Sequence, residues 1–184
     1  MKPGFRKPSK VIGSSVVFRN AVGDDAQFIL NLRTNPDKGK FLSKTSADLG
    51  AQVDWLDRYS TDPDQVYFII ENLSGERFGT VRLYDQKADS FCWGSWILSE
   101  GRPGGFAVES ALMVYEFALA LGFVRAHFDV RRGNESVWQF HERFGAVRVR
   151  ETDEDFFYEI SLDAINASLE RYRKFLPNGI EIVW

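Results

Sequence analysis

The pattern of apolar and polar residues along the chain predicts a mixture of strands and helices. Short apolar or alternating runs predict strands over residues 16–19, 65–71, 77–84, 90–98, 125–130, 147–151 and 156–162. Apolar residues spaced three or four apart predict helices over residues 24–34, 46–59, 106–122, 135–144 and 163–176. In chain order the elements are βααβββαβαββ and a last helix. They predict one mixed α/β domain over residues 16–176.

A glycine-rich segment lies between the strand at 90–98 and the long apolar helix that follows. It consists of Ser99-Glu100-Gly101-Arg102-Pro103-Gly104-Gly105. Glycine lets backbone N–H groups turn toward one point, and the N-terminus of the next helix carries partial positive charge. Arg102 adds a cation whose forked donors match phosphate oxygens. The segment therefore predicts an anion site, and a diphosphate is the anion that it suits best.

The spacing of these residues separates three kinds of phosphate-binding loop. A mononucleotide P-loop has Lys-Ser or Lys-Thr after its last glycine, whereas Gly105 is followed by Phe106 and Ala107. A dinucleotide-binding turn has Gly-x-Gly-x-x-Gly in a first βαβ unit, whereas this loop comes past the middle of the chain. The order Arg102-x-x-Gly105-x-Ala107 instead resembles the acyl-CoA pyrophosphate loop of the GNAT N-acetyltransferases.

A second segment resembles a later motif of the same family. It starts at Asn134, which the pattern predicts as a helix N-cap that accepts the N–H of Ser136 or Val137. His141 stands seven residues on, where many relatives have tyrosine, and Gly145 is expected just past the helix end. The two motifs occur in the family's order, and the resemblance extends over residues 16–162.

This resemblance implies a fold, a cosubstrate and a set of binding residues. The expected GNAT fold is a central, mostly antiparallel sheet that splays open at the CoA site, with helices on both faces. The expected cosubstrate is acetyl-CoA, and an oxyanion would be met by a backbone N–H near Ile97 or Leu98. The implied cosubstrate-binding residues are Ile97, Leu98, Arg102, Gly104, Gly105, Phe106, Ala107, Asn134, Ser136 and Phe140.

His141 is the residue at which the chain departs from the family pattern. Tyrosine has a pKa of roughly 10 and is ready to donate a proton, whereas an unperturbed histidine has one of about 6.5. His141 is expected to act as the acid for the leaving thiolate or as the base for the incoming ammonium. Two alternatives stay open: the residue only shapes the CoA pocket, or the protein is a non-catalytic acyl-CoA sensor.

The first two helices and the strand before the glycine-rich loop carry the residues that are predicted to face the acceptor. Arg33 is predicted to contact an acceptor phosphate or carboxylate, and Trp93 and Trp96 to wall the substrate side. This region resembles two GNAT branches, one acting on nucleotide-linked amino sugars and one on ribosomal-protein N-termini. Cationic side chains outnumber acidic ones from the end of the first helix to the start of the second, and this charge favours a small anionic or neutral acceptor over a cationic peptide. They are Arg33, Lys38, Lys40 and Lys44.

Composition narrows the class of protein. The 184 residues are 44% apolar and carry a net charge of −3, which does not suggest nucleic acid as a partner. One cysteine and two histidines are too few for a convincing metal site, so none is predicted. The longest uncharged apolar run, residues 117–124, is too short to span a membrane. A cytoplasmic location and no membrane partner are expected.

The two ends of the chain lie outside the predicted domain. Residues 1–15 carry four cations and no acid, and they predict a mobile tail. Residues 177–184 form a C-terminal extension whose apolar segment from Ile180 to Trp184 resembles a strand. This segment is expected either to cover an edge of its own sheet or to pair with a second copy in a homodimer.

Overall fold

The computed structural model describes residues 2–184 and contains one open nine-stranded sheet flanked by helices. The strands are β1 (Lys10–Ile12), β2 (Val16–Asn20), β3 (Val66–Asn72), β4 (Arg77–Lys87), β5 (Ser90–Leu98), β6 (Arg125–Arg131), β7 (Val147–Glu151), β8 (Asp155–Ile160) and β9 (Glu181–Val183). The helices are α1 (Ala26–Thr34), α2 (Leu49–Thr61), α3 (Phe106–Ala120), α4 (Glu135–Arg143) and α5 (Leu162–Arg171).

The sheet has the order β7-β8-β6-β5-β4-β3-β2-β1-β9. Every described pair of neighbouring strands is antiparallel except β5 and β6. Those two run parallel and pair only at Ser90 with Arg125 and at Phe91 with Ala126. Beyond these two pairs they separate, so the sheet is open between them. The predicted mixed α/β fold with a mostly antiparallel sheet is confirmed.

Helices cover both faces of the sheet because alternate residues of a strand point to opposite sides. On β3, Phe68 belongs to the large core that contains α3, and its ring lies 5.5 Å from Phe117 of that helix. The next residue, Ile69, belongs to a smaller core with Ile29 of α1 and Leu56 of α2. Helix α3 is apolar nearly all round because it is buried along most of its length.

The N-terminal segment differs from the mobile tail that its composition predicts. Lys10–Ile12 forms β1, which pairs with β2 on one side and β9 on the other, so these residues are part of the sheet and not of a mobile tail. Glu109 of α3 helps to hold this segment, because its Oε1 accepts the N–H groups of Ser15 at 2.7 Å and Val16 at 3.0 Å. The charges of the segment had suggested a solvated tail, whereas Val11 is fully buried.

The C-terminal segment adds the last strand. Strand β9 pairs with β1 from Lys10 opposite Val183 to Ile12 opposite Glu181. Of the two placements expected for residues 180–184, the structure shows the cover over an edge of their own sheet. Trp184 follows the strand, and the guanidinium carbon of Arg6 lies 3.9 Å from its ring centre.

Two helix boundaries differ from the pattern. Helix α2 begins at Leu49 because Asp48 caps it, accepting the N–H groups of Gly50 at 2.8 Å and Ala51 at 3.3 Å, and Ser46 lies before this cap. The last helix stops at Arg171, and a 3-10 turn over Arg173–Phe175 replaces its predicted final turn.

Candidate active site

The gap between β5 and β6 holds a cleft of about 250 Å³ in which five of the predicted site residues meet. Its floor and walls come from β5, β6 and α4, and the connection from α1 to α2 forms its roof. Phe41 of that connection sits over Gly133, where an added Cβ would lie 3.1 Å from the Phe41 ring. The predicted residues that line the cleft are Arg33, Trp93, Trp96, Asn134 and His141.

A bulge in β5 shapes this cleft. The register between β4 and β5 shifts between Thr80 and Arg82, and Ser95, opposite this shift, has a φ of +47°, a conformation that costs a residue with a side chain about 1–2 kcal/mol. Two contacts hold it: Thr80 Oγ1 donates to the Ser95 carbonyl at 2.8 Å, and Arg33 Nη1 donates to Ser95 Oγ at 3.2 Å.

The bulge also determines where the two tryptophans point. Residues three apart on a regular strand face opposite sides, but the extra residue puts Trp93 and Trp96 on the same side as α3 and α4. Trp96 Nε1 donates to Ser110 Oγ of α3 at 3.1 Å, and the Trp93 ring lies 5.7 Å from Tyr115. Both rings therefore line the cleft from the α3–α4 side, whereas Arg33 lines it from the α1 side. That the two tryptophans wall the substrate stays a prediction.

The register of β4 and β5 distinguishes the two backbone groups proposed to meet the oxyanion. Ser99 N donates to Phe78 O at 2.7 Å, and in antiparallel strands hydrogen-bonded pairs alternate. Ile97, paired with Thr80, therefore directs its N–H toward β4, whereas Leu98 directs its N–H away from β4. Strand β6 does not pair with this part of β5, so the Leu98 N–H faces the gap.

The glycine-rich loop leaves β5 and opens α3. Gly101 and Gly105 have φ values of +77° and +86°, which glycine adopts without strain. A Cβ on Gly105 would lie 3.1 Å from the Phe175 ring, so there is no space for a side chain at this position. Gly104 faces open space, Phe106 is buried, and the half-buried Ala107 lies in the first helical turn. The loop thus combines an exposed glycine-rich backbone with a helix N-terminus, two features that suit a diphosphate site.

Arg102 is exposed at this loop, and its Nη1 donates to the Ser99 carbonyl at 3.2 Å. This bond uses only part of the guanidinium, which has five N–H donors. The remaining donors are available to a phosphate beside the loop.

Helix α4 differs at its start from the predicted motif and agrees with it at its end. Asn134 makes no side-chain cap bond, and Val137 N donates to the Asn134 backbone carbonyl at 3.2 Å, so the predicted side-chain cap is wrong. Gly145 closes the helix at a φ of +94°, with Ala146 N donating to His141 O at 3.0 Å. Ser136 is exposed in the first turn and does not line the cleft, while Phe140 packs 5.0 Å from the Trp96 ring.

His141 is enclosed by aromatic rings. Its ring centre lies 4.2 Å from that of Phe128 and 5.0 Å from that of Trp93, and its Nδ1 is buried without a hydrogen-bond partner. Burial lowers the pKa of His141 to about 3, because the charged ring would lose its hydration. The ring is therefore neutral at physiological pH. The role of His141 as acid or base, expected from the sequence, stays a prediction.

The structure adds one residue that the sequence did not single out. Among the residues of 2–184 that line the cleft, Asp129 of β6 is the only carboxylate. Asp129 is exposed to solvent, but the surrounding protein reduces the hydration of its carboxylate, and this effect and then the charge of Asp155 raise the pKa of Asp129 above its usual range. Strand alternation could have revealed it, since Asp129 is an acid in the middle of a strand that faces the opened part of the sheet.

The model of the acetyltransferase (GNAT) domain matches residues 15–147 of the chain. The chain belongs to the GNAT acetyltransferases. The family resemblance that the sequence predicted is thus confirmed, and the chain is an N-acetyltransferase by family. A search of curated protein sequences finds no match.

Three solved structures place this GNAT chain among its relatives. FdhC, described as a nucleotide-linked sugar GNAT, is 36% identical, with a TM-score of 0.81, and the match covers 91% of this chain and 98% of FdhC. Spermidine N-acetyltransferase from Vibrio cholerae, solved with CoA and spermine, is 16% identical with a TM-score of 0.74 over 83% and 98% of the chains. A GCN5-related N-acetyltransferase from Brucella melitensis is 16% identical with a TM-score of 0.78 over 96% and 90%. The last two support the fold alone.

Acetyl-CoA is the acyl donor of GNAT enzymes, and the residues present suit it. The exposed loop at Gly104 and Gly105 would hold the diphosphate, and the gap beside Leu98 would admit the pantetheine arm. Within residues 2–184, no group of three or more His, Cys, Asp or Glu side chains is arranged to hold a metal ion. The helices of the same residues include none with the length and apolar character needed to cross a membrane.

Proposed function

We propose that this GNAT protein transfers acetyl from acetyl-CoA to the amine of a small anionic acceptor, an amino sugar linked to a nucleotide. The observation that carries the acceptor class is the 36% identity to FdhC, a nucleotide-linked sugar GNAT, over 91% of the chain. The transfer is direct, because both partners reach the cleft between β5 and β6 from opposite faces of the sheet. Acetyl-CoA enters from the α3–α4 side and the acceptor from the α1–α2 side.

The charge around the acceptor side supports an anionic acceptor. The connection between α1 and α2 carries Lys38, Lys40 and Lys44, and Arg33 stands at its start. Asp37 is the single acid before the cap of α2. A polyamine or a cationic ribosomal N-terminus would be repelled by this surface, whereas phosphate groups would be attracted.

The proposed reaction uses groups of this chain on both sides of the gap. The acceptor ammonium gives one proton to the Asp129 carboxylate, and its nitrogen then attacks the thioester carbonyl carbon. The Leu98 N–H donates to the carbonyl oxygen as this oxygen gains negative charge. When the C–S bond breaks, the nitrogen loses its second proton and the sulfur gains one, which leaves an amide and CoA thiol.

His141 takes part as a neutral ring in this scheme. A neutral imidazole carries one N–H, which can donate a hydrogen bond to the sulfur as negative charge develops there. The aromatic rings around His141 keep its pKa at about 3, so the ring stabilises the thiolate as a dipole and not as a full positive charge.

The proposal is tested with purified protein, by calorimetry of acetyl-CoA binding and by thiol release with a panel of acceptors. The panel contains nucleotide-linked amino sugars, the free amino sugars, polyamines and peptides with ribosomal N-terminal sequences. Binding together with thiol release that is fastest for nucleotide-linked amino sugars is expected. Release with polyamines or peptides alone would refute the acceptor class, and binding without release for any acceptor would identify a sensor.

Gly105→Ala is expected to weaken acetyl-CoA binding about tenfold, because the methyl group meets the Phe175 ring and the backbone must leave its φ of +86°. Gly75→Ala is the matched control, since Gly75 has a φ of +85° in the β3–β4 turn and no atom lies within 4 Å of its added Cβ. Both variants lose roughly 1 kcal/mol of stability. Calorimetry should show the loss of affinity in Gly105→Ala only, and equal affinities would contradict the assigned diphosphate site.

A further inference from the structure

A second cavity adjoins the cleft on the acceptor side. It has a volume of about 270 Å³ and lies between the α1–α2 connection, helix α2 and strands β3 to β5. The two spaces share three lining residues, Arg33, Ser43 and Ser95. The residues of 2–184 that line this cavity include three cations, Arg33, Lys44 and Arg82, and no carboxylate. A space with this lining attracts an anion.

Arg82 is the deepest of these cations. Its Nε donates to the Gln65 side-chain oxygen at 2.5 Å, and its guanidinium carbon lies 4.4 Å from the Tyr84 ring centre and 5.4 Å from that of Trp55. The aromatic rings and the amide fix the orientation of the guanidinium without neutralising it. Asp62 bonds to Gln65 and reaches Arg82 only through that amide.

Arg33 resembles Arg82 in having only neutral partners. Its Nε donates to Thr45 Oγ1 at 2.7 Å, its Nη2 to Ser43 Oγ at 2.9 Å and its Nη1 to Ser95 Oγ. A guanidinium that is partly withdrawn from water and lacks an ion-pair partner is costly, and a bound anion would remove that cost. Burial lowers the pKa of Arg82, and the like charge of Arg33 lowers it further.

Tyr67 supplies an independent observation. This residue is only 2% exposed and lines the same cavity. Its buried hydroxyl oxygen lies beside Thr80 and Arg33, but no group stands at hydrogen-bond distance and angle to it. Buried hydroxyl groups nearly always have a partner. An acceptor oxygen in the cavity would provide one.

We propose that this cavity binds the diphosphate of the acceptor, with Arg82 and Arg33 as its cationic ligands and the Tyr67 hydroxyl as a donor. The inference rests on the proposed function and specifies how the acceptor is held. Because Arg33 lines both spaces, a diphosphate here places the attached amino sugar in the cleft, where Asp129 lies. The cavity thereby selects acceptors that carry phosphate next to the sugar.

The test measures binding of inorganic pyrophosphate and of a nucleoside diphosphate by calorimetry to protein saturated with CoA. Saturation matters because the loop at Arg102 would otherwise bind the same probes. Arg82→Gln is expected to weaken binding of both probes about tenfold, and Arg82→Lys should lose less. The control is Arg58→Gln, which removes an exposed cation of α2 that does not line the cavity.

Each outcome separates this inference from the proposed function. Unchanged affinity in Arg82→Gln, or no probe binding to the wild type, would overturn the diphosphate site even if acetyl transfer is found. Diphosphate binding that depends on Arg82, in a protein that acetylates no amine, would uphold the site and refute the transfer. Lys44→Gln, which changes an exposed lining residue, provides a second variant should Arg82→Gln not fold, and it too should weaken binding.

Discussion

Asp129→Asn is expected to lower kcat/KM for the acceptor about 100-fold, the smaller end of the range for loss of a general base. Asn keeps the size of the side chain but cannot accept the ammonium proton, and no other carboxylate among residues 2–184 lines the cleft. Acetyl-CoA affinity should not change, because Asp129 lies on β6 away from the glycine-rich loop. Steady-state kinetics and calorimetry measure these two quantities.

The pH profile distinguishes a base from a residue that merely holds the acceptor. Asp129 must be ionised to accept a proton, so kcat/KM should fall as the pH drops through its pKa, which is raised above the usual range. This acidic limb should vanish in Asp129→Asn. The exposed Asp153→Asn serves as a control that keeps both the rate and the limb. A wild-type profile in Asp129→Asn would disprove the assignment.

His141 is expected to make the folded protein sensitive to acid. Its pKa is about 3 in the folded state and about 6.5 in an unfolded chain, so between these values only the unfolded chain binds the proton. The free energy of unfolding therefore falls as the pH drops below 6.5, by about 1.4 kcal/mol per unit and by roughly 2.7 kcal/mol at pH 4.5. His141→Phe should remove this contribution.

Chemical denaturation from pH 7 to pH 4.5 compares the variant with the wild type. As the pH falls, the wild type should lose more stability than the variant, because the other titrating groups are common to both. Gln139→Ala, which changes an exposed residue of α4 without a titrating group and keeps His141, should retain the wild-type slope. Parallel curves for His141→Phe and wild type would show that His141 is not buried as a neutral ring. His141→Leu repeats the test if Phe does not fit.

Local patterns in the sequence predict most of the fold. The apolar runs give strand β5 and β7 with their observed ends, since both are bounded by turns or loops that the residues themselves determine. Gly145 is also predicted correctly as the residue just past the end of α4, because the positive φ there favours glycine. These features depend on a few neighbouring residues, and the sequence therefore contains the information to predict them.

Features that depend on distant pairing are not visible in the pattern. Strand β1 consists of three residues and exists because β2 and β9 hold it from both sides. The bulge at Ser95 follows from how β4 and β5 align, and it turns Trp96 to the side of α3. The low pKa of His141, on α4, likewise results from its burial against Phe128 of β6 and Trp93 of β5. Each of these requires the assembled sheet.

The pairing of β1 with β9 bears on how the protein is made. Lys10 lies opposite Val183, so β1 leaves the ribosome about 170 residues before its edge partner exists. During that interval one side of β1 is an uncovered edge with unpaired backbone groups, the kind of edge that recruits other chains. A truncated chain that ends before Glu181 lacks β9, so this edge of β1 stays unpaired permanently. Nascent or truncated chains should therefore be the form of this protein that aggregates and that chaperones bind.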